Sequence, residues 1–205
     1  MLSQNPKLKE IVAKKEEIYS FTSTVSHECF LKEEVLRFIS IAGTIANSFP
    51  NVATSIDERI LSHIMLRSVI ENYIKIRYIF HDSSKTANRF DEILNSFRDE
   101  YSKLFNDIHS AYRSEIETPI IGWKTRPKAP NLKDMLSIIK DDLGESLDKS
   151  YFIYRIGSFD THGNSLNALF NAVFDKDCNF PYLEIFSIIE HIADYYLSLF
   201  KRYSI

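Results

Sequence analysis

The chain has little of what breaks a polypeptide into short pieces. Its 205 residues include five glycines and six prolines, too few to punctuate the many strands and turns of an all-β protein, so long helices are expected. Cysteine is nearly absent. Cys29 and Cys178 stand far apart and belong to no paired spacing; one disulfide between them is conceivable, but two buried thiols in a reducing cytosol is the better reading. No apolar run approaches the roughly 18–20 residues of a membrane helix. The opening MLSQNPKLKEIVAKKEEIYS is charged throughout and lacks the apolar stretch of an export signal. A cytoplasmic protein without membrane contact is expected. Nor does one sign of charge dominate: 25 basic against 28 acidic residues give a formal charge of −3. That excludes bulk electrostatic binding of nucleic acid and leaves only local contacts.

Several chemistries are missing as well. There is no glycine-rich phosphate loop, dinucleotide fingerprint or nucleophile elbow. The six histidines, His27, His63, His81, His109, His162 and His191, show no i, i+4 pairing and no nearby cysteine pair, so neither a metal nor a cofactor is expected. Most carboxylates fall on the polar faces of amphipathic helices, where a solvated surface is the ordinary reading.

What the chain does have is 44% hydrophobic residues, among them 15 phenylalanines and 11 tyrosines, enough bulk for the core of one domain. The periodicity predicts an all-α protein, an antiparallel bundle of about six to seven helices. Residues 1–50 would pack on a core spanning 56–205. A charged, weakly amphipathic helix is expected over Lys7–Tyr19, on the outside, and a second over Leu31–Ser48, with Val35, Phe38, Ile39, Ala42 and Ile45 at three-and-four spacing. The segment Ser48-Phe49-Pro50-Asn51 stops it. The helix Ile56–Phe80 is apolar on nearly every side, as a central helix is. Next comes a helix over Ser84–Glu115, whose stripe runs Phe90, Ile93, Leu94, Phe97, Tyr101, Leu104, Phe105, Ile108 and Tyr112. Its other face is charged, and Glu92 there is expected to be exposed. Thr118–Pro130 is a connection, Asn131 caps a helix over Leu132–Leu143 with Asp134 near N3, and Tyr151–Phe174 is a helical stretch interrupted by Gly157 and Gly163. Asn179-Phe180-Pro181 opens a last helix carrying Leu183, Phe186, Ile189, Ala193, Tyr196, Leu197, Phe200 and Tyr203.

Two constellations carry chemistry. Arg67, Glu71 and Lys75, at i, i+4 and i+8, form a charged seam along the central helix. Charges on a helix with no wholly solvent-facing side need partners. Either Glu71 bridges the two cations and ties helices together, or the seam opens into a polar pocket where Arg67 or Lys75 meets an anion. The second constellation is Arg155-Ile-Gly-Ser-Phe-Asp-Thr-His162. On an unbroken helix Arg155 and His162 share a face, roughly 10 Å apart along the axis. Histidine moves protons near neutral pH and arginine clamps phosphate with paired donors, which are the needs of metal-free phosphoryl transfer. The alternative is an exposed arginine and a core histidine. In the loop Gly122–Lys128, Trp123 with Lys124, Arg126 and Lys128 could offer a ring and cations to a single strand; the alternative is that Trp123 plugs the core.

An arginine and a histidine with six residues between them, late in a helical domain, resemble the motif of the HEPN superfamily. More specifically, the chain resembles a bacterial HEPN-like family of all-helical proteins. Leu66–Ile79 (LRSVIENYIKIRYI) is similar to its long helix, Trp123 with Pro127 to its tryptophan-bearing, proline-containing loop, and Tyr154-Arg155 through Ser158 to His162 to its Tyr-Arg-x-x-Ser-x-x-x-His segment. The resemblance spans about residues 56–174. It implies a metal-independent endoribonuclease, a toxin or anti-phage defence effector, acting on RNA at a site formed between two protomers. Arg155 and His162 would be its catalytic pair; beside that, the residues themselves suggest Arg67, Glu71, Asp160 and Ser158 as supporting groups and Trp123, Lys124 and Arg126 as RNA contacts. A homodimer follows, and an antitoxin or defence-system protein is a further expected partner. One departure stands out: Ile156 follows the motif arginine where a polar residue is common, and the nearest acid is Asp160. Superfamily members without activity serve as nucleotide- or protein-binding modules, and that alternative stays open.

Overall fold

The computed structural model describes residues 5–49, 56–139, 145–161, 166–176 and 185–203, and among these the chain is helical with no strand. In chain order the helices are α1 (Pro6–Ala13), α2 (Lys15–Ser20), α3 (Ser26–Ser48), α4 (Ile56–Phe80), α5 (Thr86–Asp107), α6 (Leu132–Ile139), α7 (Glu145–Thr161), α8 (Leu166–Phe174) and α9 (Ile185–Tyr203), with short 3-10 turns at Ser83–Lys85, Ser110–Glu115 and Trp123–Thr125. Among the described residues these are nine α-helices against the expected six to seven; the first predicted helix divides in two at Lys14, and the predicted Tyr151–Phe174 stretch is described on either side of residues 162–165. Helix α3 ends at Ser48, where the expected stop begins; Pro50–Asn51 of that stop, the cap expected at Asn179–Pro181, Gly163 and Cys178 lie outside the described residues. No described helix is long and apolar enough to cross a membrane.

Two compact units emerge, Met1–Tyr73 with Leu143–Ile205, and Ile74–Asp142. The division falls inside α4.

In the first unit α1 packs on α9 and α3, and α2 packs on α3. The N-terminal segment packs by one apolar face and leaves most of its other residues exposed. Leu8 and Ile11 are fully buried and Ile18 nearly so. The chain breaks at Lys14, between α1 and α2. Helix α1 has no side-chain cap of its own. Its free N–H groups at Lys7 and Leu8 donate instead to the two carboxylate oxygens of Glu190 on α9, each at 2.9 Å, which is favourable at the positive end of a helix. Aromatic packing knits α3, α4 and α9 together. Phe38 and Tyr196 meet edge to face at 5.2 Å, and Tyr73 contacts Tyr195 and Tyr196 at 5.6 and 6.3 Å. The hydroxyl of Tyr73 bonds to Nε2 of His191 at 2.9 Å. Burial, first of all, pushes the Tyr196 phenol well above its ordinary pKa. Cys29 departs from expectation: its residue is exposed, its thiol turned to the carbonyl of Ser23 at 3.2 Å.

Helix α4 begins and ends where the periodicity placed it. From Leu66 onward its apolar residues are buried, but Leu61 and Ile64 near its start are 49% and 36% exposed. The all-round apolar character thus marks a central helix only in its later turns.

The second unit reverses the expected orientation of α5. Phe90 is buried, but Phe97, Leu104 and Tyr112 of the apolar stripe are 65%, 52% and 61% exposed, while Arg89, Asn95, Asp99 and Ser102 of the polar face are buried. The reason lies in the loop 118–130, whose backbone needs partners that an apolar face lacks. Asn95 Nδ2 donates to the carbonyl of Pro127 at 2.8 Å. Ala129 N–H lies 3.1 Å from the Glu92 carbonyl and 3.0 Å from Ser96 Oγ, and Lys128 pairs with Asp99 at 2.8 Å. Glu92 is correspondingly half-buried rather than exposed. Its carboxylate accepts from the hydroxyl of Tyr78, whose pKa burial and that bond raise to about 12. The Arg89 guanidinium lies 4.8 Å from the centre of the Tyr78 ring and donates to the Tyr78 carbonyl at 2.9 Å. Helix α6 starts with the expected box: Asn131 Oδ1 accepts from the Asp134 N–H at 3.0 Å, and Asn131 Nδ2 donates back to Asp134 at 2.7 Å.

Candidate functional site

Helix α7 runs unbroken through Gly157, contrary to the expected interruption. The glycine serves a different need. A Cβ added there would lie 3.0 Å from the backbone oxygen of His63 and 3.3 Å from Cβ of Arg67, so its absence is what lets α7 approach α4 this closely. At that crossing Arg67 reaches across. Its Nε donates to Ser158 Oγ at 3.1 Å, its Nη2 to the Tyr154 hydroxyl at 3.4 Å, and its guanidinium lies 5.0 Å from the centre of the Tyr154 ring. The Ser158 hydroxyl in turn donates to the Tyr154 carbonyl one turn earlier, at 2.9 Å, and Tyr151 stacks on Tyr154 with centroids 6.0 Å apart. Arg67 is thus bound to the motif segment through Ser158 and the preceding Tyr154. Glu71 and Lys75 are each half-buried.

The two faces of α7 differ sharply. Ser150, Ile153 and Ile156 are buried, at 1%, 1% and 4% exposure. Ile156 therefore serves packing, which accounts for an apolar residue after the motif arginine. On the opposite face Arg155 is exposed, flanked by Phe152 and Phe159 at 44% and 46%. His162 and the side chain of Asp160 lie outside the described residues, so the structure places one member of the expected catalytic pair.

The loop residues resolve in part. Trp123 is half-buried, not a core plug, and meets the ring of Tyr101 at 6.3 Å. Arg126 is exposed, and the side chain of Lys124 is outside the described residues. Among the described residues no cluster of histidine, cysteine, aspartate and glutamate could hold a metal ion.

Sequence reasoning missed the role of Tyr154. The available signal was its place four residues before Ser158, which puts both on one helix face. It also missed that Gly157 is a contact point. That signal was not local, because it depends on α4 arriving opposite.

Comparisons with protein-family models, with curated proteins and with solved structures find no match for this chain.

Proposed function

We propose that the chain is a HEPN-like, metal-independent endoribonuclease in which Arg155 and His162 act on the scissile phosphate. The observation that carries this reading is the division of labour on α7. The helix is held at α4 by the Gly157 crossing and the Arg67–Ser158 bond, its face through Ile153 and Ile156 is buried, and Arg155 stands exposed. A rigid helix that presents an arginine outward is a suitable mount for a phosphate clamp. His162 follows Arg155 by seven positions in the sequence. An imidazole, with its ordinary pKa near 6.5, takes the proton of a ribose 2′-hydroxyl and later returns one to the leaving 5′-oxygen. Attack of that 2′-oxygen on phosphorus leaves a 2′,3′-cyclic phosphate, while DNA survives for want of the 2′-hydroxyl. Two protomers would bring two such pairs together, and a toxin or anti-phage effector of this kind would work with an antitoxin or defence partner.

A second reading is favoured by the net charge of −3: an inactive HEPN-like module that holds a nucleotide or a protein. The discriminating experiment incubates wild type, Arg155→Ala and His162→Ala with total RNA in EDTA. The nuclease reading expects cleavage by wild type and a loss of about a hundred-fold or more in each variant. Cleavage that persists in both variants, or that EDTA abolishes, removes the mechanism. An inert wild type leaves the binding module.

A further inference from the structure

The inverted orientation of α5 leaves an aromatic ledge on the surface of the second unit. Phe97, 65% exposed, lies 6.0 Å from Tyr101, and Tyr101 lies 6.3 Å from the half-buried Trp123. The ledge is built rather than incidental. Tyr101 is fixed by its hydroxyl, which donates to the carbonyl of Glu117 at 2.8 Å, and the loop carrying Trp123 is pinned to α5 through Asn95, Ser96 and Asp99. Rings held this way lose little further freedom when a planar partner lies against them. Beside the ledge, Glu100 is paired with Lys103 and Glu117 precedes the loop, whereas the loop itself is cationic. The loop 118–130 carries Lys124, Arg126 and Lys128 and no carboxylate. Lys128 is held by Asp99, while Arg126 is exposed.

We propose that Phe97, Tyr101 and Trp123 form a stacking platform for the unpaired bases of single-stranded RNA, with Arg126 contacting the phosphates between them. Aromatic faces interleaved with cations are what a sequence-tolerant single-strand site requires. The neighbouring Ile120 and Ile121, 66% and 100% exposed, would also suit a second copy of the chain. Charge favours the nucleic acid. A two-fold self-contact centred on the loop sets a cationic segment against itself, whereas a phosphate backbone complements it. The choice of RNA as natural ligand rests on the proposed nuclease activity. Stacking itself does not read the sugar, so single-stranded DNA binds the platform too.

Trp123 is the only tryptophan of the chain, so its emission reports this site alone. The full-length protein is titrated with an oligothymidylate of about 12 nucleotides, a probe without the 2′-hydroxyl and therefore not consumed, and with the matching duplex as control. The expected result is quenching of Trp123 by the single strand and not by the duplex. Affinity falls about ten-fold in Phe97→Ala, recovers in Phe97→Tyr, and drops a few-fold in Arg126→Glu, with weaker salt dependence. Phe97 is exposed enough that its removal spares the fold, which a thermal melt of each variant verifies. Absent quenching, or equal affinity in wild type and Phe97→Ala, overturns the platform. So does an oligomer that Phe97→Ala dissolves while oligothymidylate leaves the emission unchanged, since that assigns the ledge to a second copy. RNA cleavage by a protein that oligothymidylate fails to quench removes the platform and keeps the nuclease. Quenching without cleavage does the reverse.

Discussion

Gly43 and Gly157 both sit inside helices, yet their surroundings give one substitution opposite signs. A Cβ at Gly43 meets nothing within 4 Å, whereas one at Gly157 meets the backbone oxygen of His63 at 3.0 Å. Alanine is the better helix former by about 1 kcal/mol, so Gly43→Ala is expected to raise stability by up to that amount. At Gly157 the same gain is set against overpacking, which costs about 1–3 kcal/mol. A backbone atom cannot swing aside as a side chain can, so Gly157→Ala is expected to lower stability and Gly157→Val to lower it further. Urea denaturation of the three variants checks the signs. If Gly157→Ala equalled Gly43→Ala, the close crossing of α7 on α4 would be wrong. The same crossing gives Arg67 its place, since only at that separation does the guanidinium reach Ser158.

At the scale of elements, α5 shows how a helix can bury its polar side. Its hydrogen-bonding residues face the loop 118–130 because the loop is backbone-rich and needs donors and acceptors. Asp99 is central to this. Side-chain hydrogen bonds from Lys128, then from Lys103, hold its carboxyl below the usual carboxylate range. A depressed folded-state pKa means that this contribution to stability is present above the unfolded value, near 3.9. It fades as pH falls through the lower, folded value. Asp99→Asn is therefore expected to melt earlier than wild type at neutral pH, with the gap closing as the solution is acidified below about pH 4. Melting curves across that range check it. A gap of constant size would show that Asp99 acts through shape alone. Its loss should also loosen the loop and with it the seat of Trp123.

For the whole molecule, the proposed site is expected to be doubled across two protomers, because one Arg–His pair per chain makes a thin site. Light scattering at micromolar concentration is expected to give twice the 23.9 kDa of the chain. A monomer that still cleaves RNA would remove the two-protomer site and leave each Arg155–His162 pair acting alone.

Much of this protein follows from its sequence. The scarcity of glycine and proline, with apolar residues recurring at three and four, determined an all-helical chain. The bounds of α4 and the Asn131–Asp134 box were legible because each depends on residues within a few positions of one another. Arg67 and Ser158 could be singled out as residues of interest from the cost of a charge on an apolar helix and from the resemblance of the motif segment. Only tertiary structure decided what those residues touch. Gly157 reads as a helix breaker in one dimension and becomes a contact point once α4 lies opposite. The stripe of α5 reads as core, yet Phe97 and Leu104 stay exposed because the loop claims the polar face instead. Lys14 divides the first helix, and Leu8, Ile11 and Ile18 are buried on either side of it against helices distant in the chain. In each case the deciding partner is far away in the chain, and periodicity reports which residues share a face but not what that face will meet.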